Sequence, residues 1–260
     1  MTKDIVKQKA TGLEISPFAL EDVDNSAVDF GGVSSADMAI PFLTILQDLS
    51  PQIKSGPKQI ELAKAGMIFN SVTEGVWPGD GTVGVIPCAL RKTYVEWRPR
   101  AAGGGFVASY DVDTVFKTAI RQENKSWVLP HGNEIIPTML HYVIVVAPGT
   151  MPSPAIMAMN RSQARKSRKW ISIMEMQTVQ VESRIVRPRI YAYSYPLSTV
   201  LETKDQNTWF GWSIGHPEFV YDAAVFEVAK NFASLINKDG VVVDMANVME
   251  KEEVQDSGVF

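Results

Sequence analysis

The chain has 260 residues, 45% hydrophobic and 21% charged, the balance of an ordinary folded protein with room for one large domain or two small ones. No window approaches the roughly 18 uninterrupted apolar residues of a membrane span, and no apolar stretch follows Met1-Thr2-Lys3-Asp4, so neither a spanning helix nor a signal peptide is expected. The formal net charge of −4 is unevenly spread: residues 1–37 and 244–260 each carry −4, while 38–243 hold 21 basic and 17 acidic residues. A mildly basic body between acidic ends points to an anionic partner for the body. The single cysteine, Cys88, cannot form an internal disulfide. In an apolar run after Pro87 it reads as a small buried hydrophobe, and the chain suits a reducing cytoplasm.

Residues 1–37, rich in Asp, Ser and Gly, predict an irregular acidic arm. Met38 to Leu49 predicts a short helix from Pro41, ended by Ser50-Pro51. Gly66 to Thr73 predicts a strand, and Trp77-Pro78-Gly79-Asp80-Gly81 a turn. Thr82 to Arg98 is a long β-rich run interrupted at Pro87. In its second half Lys92, Tyr94, Glu96 and Arg98 alternate with Arg91, Thr93, Val95 and Trp97, so cations and rings interleave. Gly103-Gly104-Gly105 marks a mobile tip, with a returning strand from Phe106. No lysine and Ser/Thr follow those glycines, so a nucleotide-phosphate loop is not expected.

Met139 to Val146 predicts a central strand and Ala155 to Met159 the next. Asn160 with Gln163 offers a weak capping box for a helix over 161–174. At 100° per residue, Ala164, Ser167, Trp170, Ile171 and Met174 share one arc. Arg161, Arg165, Lys166, Arg168 and Lys169 share the other, with no acid before Glu175. A plain solvated face mixes both signs, so this arc suits phosphates.

Arg187 to Tyr195 predicts a strand whose odd face is Arg187, Arg189, Tyr191, Tyr193 and Tyr195. Rings roughly 6.5–7 Å apart along one face can each stack an unpaired base while arginines hold phosphates. The other reading packs the tyrosines against a second layer with their hydroxyls at the rim. Trp209-Phe210-Gly211-Trp212 suggests packing for at least two of its rings. A last helix is predicted from His216-Pro217-Glu218 to Gly240, with Tyr221, Val225, Val228, Phe232 and Leu235/Ile236 at helical spacing.

His131, His141, His216 and Cys88 have no metal-ligand spacing, and His141, heading an apolar strand, reads as a core residue. Asp111 and Asp113 lack a third ligand at a matching spacing. No nucleophile elbow, dinucleotide or kinase signature appears, so neither catalysis nor a cofactor is expected.

The ending, with Glu250, Glu252, Glu253, Asp256 and the terminal Phe260, resembles that of bacterial single-stranded DNA-binding proteins and of the corresponding protein of T7-like phages. There an acidic tail docks replication or recombination partners through its acids and last ring. A second resemblance spans roughly residues 38–215. Pro41-Phe42-Leu43, Leu49-Ser50-Pro51, Ile68 to Thr73, Arg91 to Trp97, and Ser162-Gln163 to Trp170 are similar to a group of bacteriophage proteins regarded as single-stranded DNA-binding proteins. It implies an OB-like barrel and a role in replication or recombination.

The expectation is a β-rich α+β protein: an OB-like β-barrel with appended helices over 38–243, a flexible acidic arm (1–37) and a flexible acidic tail (244–260). Such a barrel binds single strands across a sheet face with rings in a positive groove. Arg91, Lys92, Arg98, Arg161, Arg165, Arg168, Lys169, Arg187 and Arg189 are the phosphate candidates. Tyr94, Trp97, Trp170, Tyr191, Tyr193 and Tyr195 are the stacking candidates. The expected partner is single-stranded DNA, bound without sequence preference and without catalysis, and self-association is left open. The alternative is a virion or assembly protein whose ring-rich faces are subunit contacts.

Overall fold

Two long antiparallel strands carry the architecture, and the other elements are ordered around them. The structure, a computed structural model, describes residues 40–111, 113–123 and 126–239. The chain begins with a small antiparallel sheet, β1 (Leu43–Ile45), β2 (Ile68–Asn70) and β3 (Val76–Trp77). The long strand β4 (Asp80–Trp97) follows, then β5 (Phe106–Tyr110), β6 (Ile120–Arg121), β7 (Trp127–Val128) and the second long strand, β8 (Glu134–Val146). After β9 (Ser153–Met159) comes helix α1 (Ala164–Met176), then the hairpin β10 (Val179–Val181) and β11 (Arg184–Val186). The last elements are β12 (Tyr193–Lys204), β13 (Asn207–Ile214), β14 (Glu218–Phe219) and helix α2 (Ala223–Asp239).

β4 and β8 pair along almost their whole length, from Gly84↔Val146 to Trp97↔Glu134. Around their first part lie β13, β12 and β9, and around their second part β5, β7 and β6. The register of β4 slips between Pro87 and Ala89, where proline has no N–H to give. The bulge changes which parity faces which layer. Val83 and Val85 pack in one cluster with Val143, Met157, Tyr195 and Trp170 of α1. Beyond the slip, Val95 and Trp97 pack in another with Tyr142, Ile144 and Phe232 of α2. Strongly bent strands of this kind are how a sheet curls.

The sheet curls far enough to be tied back on itself. Pro41 accepts a hydrogen bond from the Ile156 N–H at 2.8 Å, bringing β1 beside β9. At the other edge the Gln47 side chain acts as a strand neighbour: its Nε2 donates to Phe210 O at 2.9 Å, and Phe210 N–H donates to its Oε1 at 2.8 Å. Gly66 sits in the left-handed region at φ 85°, where a Cβ would come within 2.7 Å of the Phe210 ring. The protein is thus a β-rich α+β fold with a barrel-like sheet and two appended helices, as expected for class. The acidic arm and tail lie outside the described residues.

Several local expectations need correction. Residues 42–45 form strand rather than helix; a short apolar run has no decisive period, and pairing with β2 and β9 decides it. Arg187–Tyr195 is not one strand. β11 ends at Val186, Ile190–Ala192 make a 3-10 turn, and the next strand starts only at Tyr193. Pro188 removes a ladder donor in the middle of the proposed run. Neither Asn160 nor Gln163 caps the helix through its side chain; the Gln163 Oε1 instead accepts from Trp212 N–H at 3.1 Å. The last helix starts at Ala223, later than expected. Asp222 Oδ1 accepts from the N–H groups of Ala224 and Val225 there, at 2.8 and 3.1 Å. Among the described residues, no helix is long and apolar enough to cross a membrane.

Candidate nucleic-acid interface

The apolar arc of α1 buries Ser167, Trp170 and Met174, as its period predicts, and this fixes the opposite arc outward. Arg165, Arg168 and Lys169 are exposed and take part in no ion pair among the described residues. Lys166 lies at the boundary and pairs with Glu202 of β12. Arg161, just before the helix, pairs with Glu134 at 2.9 Å.

Between α1 and the β12–β13 ribbon runs an open groove of about 620 Å³. The helix supplies Arg165, Lys166, Lys169 and the edge of Trp170; the ribbon supplies Val200, Glu202, Trp209 and Trp212. Three cations thus face one carboxylate. Antiparallel pairing places Glu202 opposite Trp209 and Val200 opposite Gly211, so those side chains share one face of the ribbon. Trp209 is half-buried, whereas Trp212 belongs to the core. Trp209 is therefore the ring in this groove with a surface left to offer. The indole N–H groups of Trp170 and Trp209 are both buried without an acceptor among the described residues.

The expected ladder is not there. Tyr193 and Tyr195 are 4% and 0% exposed, facing the barrel interior beside Leu197 and Val85. Tyr195 meets the edge of Trp170, ring centres 5.5 Å apart. Burial pushes the Tyr195 hydroxyl up to about 12. Trp170 itself is 1% exposed and stacks on His141 at 4.6 Å. None of these three rings can receive a base without opening the core. Tyr191 is half-buried against Phe226 of α2 at 5.5 Å. Arg187 pairs with Glu175 at 3.1 Å, and Arg189 is exposed on the loop before β12.

The β4 candidates separate as well. Arg91 donates to Ile236 O at 2.7 Å and lies over the Tyr142 ring, so it fastens α2 to the sheet. Lys92 is exposed above the Tyr94 ring at 4.8 Å, but Tyr94 is buried edge-on to Phe116. Trp97 packs edge-on to Phe106, and Arg98 is exposed beside the Gly104 carbonyl. These side chains do not line the α1 groove. Alternation shows that two sets of residues face opposite ways, but not which way is inward. Of the predicted set, the structure brings Arg165, Lys169 and Trp170 to one groove. Trp209 was missed as an interface ring because it sits in a crowd of aromatics that reads as packing. Its cross-strand partner, the exposed-type residue Glu202, was the available signal.

Elsewhere, Glu96 is 3% exposed and receives hydrogen bonds from Tyr110 Oη at 2.5 Å, Asn133 Nδ2 at 2.6 Å and His131 Nε2 at 2.7 Å. Burial pushes its carboxyl up, but the three hydrogen bonds outweigh that and hold it below the usual range. This cluster fastens β5 and the loop before β8 to β4. Among the described residues, no group of three or more His, Cys, Asp and Glu is placed to hold a metal ion. The tail candidates Glu250, Glu252, Glu253, Asp256 and Phe260 lie outside the described residues.

A family model described as Pam3 phage gp34-like protein matches residues 7–242, nearly the whole chain. No curated protein and no solved structure matches it.

Proposed function

We propose that this chain, which belongs to the Pam3 phage gp34-like protein family, binds single-stranded DNA without sequence preference and without catalysing a reaction. The role in view is phage DNA replication or recombination in the host cytoplasm. The observation that carries it is the groove between α1 and the β12–β13 ribbon, where Arg165, Lys166 and Lys169 face the half-buried ring of Trp209. Cations along one wall hold the backbone, and an indole on the other takes a base. Stacking of this kind contributes about 1–3 kcal/mol per base and tolerates any sequence. Arg168 extends the positive surface beyond the groove. The acidic tail is the proposed dock for replication or recombination partners.

Titration with oligo-dT at increasing salt tests this. Tryptophan fluorescence is expected to quench, and the affinity to fall linearly on a log–log plot with a slope of about −0.7 per phosphate held. Unchanged fluorescence at low salt contradicts it.

A second reading is assembly with further copies. The β10–β11 hairpin exposes Ile185 (76%) and Val181 (53%), and Met176 before it is 75% exposed. A two-stranded hairpin is marginal on its own, and one this apolar gains from being covered. Large oligomers by light scattering, without a response to oligo-dT, favour that reading.

A further inference from the structure

One ion pair crosses the groove, between one of its cations and its one carboxylate. Lys166 reaches from α1 to the Glu202 carboxylate of β12. Its Nζ is buried beside that carboxylate. A buried ammonium needs an anion beside it. The space for the pair is made by Gly211. A Cβ there would lie 2.6 Å from Lys166 Nζ and 2.8 Å from Glu202 Oε1. The rings of Trp170 and Trp209 also line this groove, Trp170 almost wholly buried behind it. The groove thus presents three cations, Arg165, Lys166 and Lys169, to the one carboxylate of Glu202.

We infer that Glu202 stands in for a backbone phosphate: a phosphate of the bound strand displaces its carboxylate from Lys166. This rests on the reading of the groove as a channel for single-stranded DNA. A phosphodiester carries the same single charge as the carboxylate but presents its two free oxygens tetrahedrally, so it can accept from Lys166 and a neighbouring cation of α1 together. The displaced carboxylate stays tethered nearby and offsets the charge that Lys166 brings to the phosphate. Glu202 thus weakens binding and makes it less dependent on salt.

The test compares the wild type, Glu202→Gln, and Glu202→Gln with Lys166→Gln, each titrated with oligo-dT and with inorganic pyrophosphate, with melting curves as folding controls. Glu202→Gln is expected to bind oligo-dT several-fold more tightly, with a salt slope steeper by about 0.7, one more phosphate neutralised. The double variant is expected to lose both gains. Glu202→Ser, with room for solvent beside Lys166, carries the same expectation should the glutamine variant fold poorly. Equal or weaker oligo-dT binding by the Glu202 variants, with a wild type that binds, overturns the inference and leaves the DNA reading standing. A wild type that ignores oligo-dT, with pyrophosphate binding strengthened by Glu202→Gln, overturns the DNA reading and supports the phosphate site. No response to either ligand from any variant overturns both.

Discussion

The imidazole of His141 lies flat against the indole of Trp170, ring centres 4.6 Å apart and planes within 15° of parallel, and its Nε2 meets Ser167 Oγ at 2.8 Å. This contact seats α1 on β8. It sets the position of the arc that carries Arg165 and Lys169, so a core histidine governs the groove from beneath.

Burial lowers the His141 pKa to about 3. The folded protein holds the ring neutral, while the unfolded chain protonates it below about pH 6.5. A depressed folded value means stability is fully present above that pH and declines as pH falls toward 3. The slope is about 1.4 kcal/mol per pH unit, so the loss from this group at pH 5 is about 2 kcal/mol. Melting temperatures from pH 7.5 to 4.5 should show this, and the decline should flatten when His141→Phe is combined with Ser167→Ala. An unchanged acid profile in that variant contradicts the assignment.

Tyr195 gives a sharp separation between core and interface. Its ring is wholly buried beside Trp170 and its hydroxyl has no partner among the described residues. Tyr195→Phe should leave stability and oligo-dT affinity nearly unchanged. Tyr195→Ala should destabilise by about 3–5 kcal/mol through the cavity it opens. Denaturant unfolding and titration of both variants check this; a Phe variant with weakened DNA binding contradicts the burial argument.

How much of this was legible beforehand depended on whether a feature was local. The β-rich run that became β4 and the apolar runs that became β8 and β9 are local stretches, and the two arcs of α1 follow from one period, so both stand out in the sequence. The interior position of Tyr193 and Tyr195 does not. A strand's period gives two faces, and only the layers brought by β4 and α1 decide that this one points inward. Pro188 was the local sign that the run from Arg187 would break. The groove depends on non-local placement: Arg165 meets Trp209 only because α1 is laid across the ribbon, and nothing near either residue announces the other. Gly211 likewise gains its meaning from Lys166 and Glu202, which fill the space beside it.

The Gln47 side chain completes the barrel by hydrogen-bonding both backbone groups of Phe210. Gln47→Ala should leave those groups without this partner and destabilise by about 1–3 kcal/mol. Hydrogen exchange should show the Phe210 amide losing protection before those of β4 and β8. Equal protection in the variant and the wild type contradicts this role.

The central claim is that the cations of α1 hold the backbone of a single strand. The most direct measurement is the salt dependence of oligo-dT binding by Arg165→Ala with Lys169→Ala, set beside the wild type. Both side chains are exposed, so the fold should be kept. The log–log slope should become shallower by about 1.4, two phosphates at about 0.7 each, with affinity lower by at least about tenfold at low salt. A double variant that keeps the wild-type affinity and slope contradicts the claim.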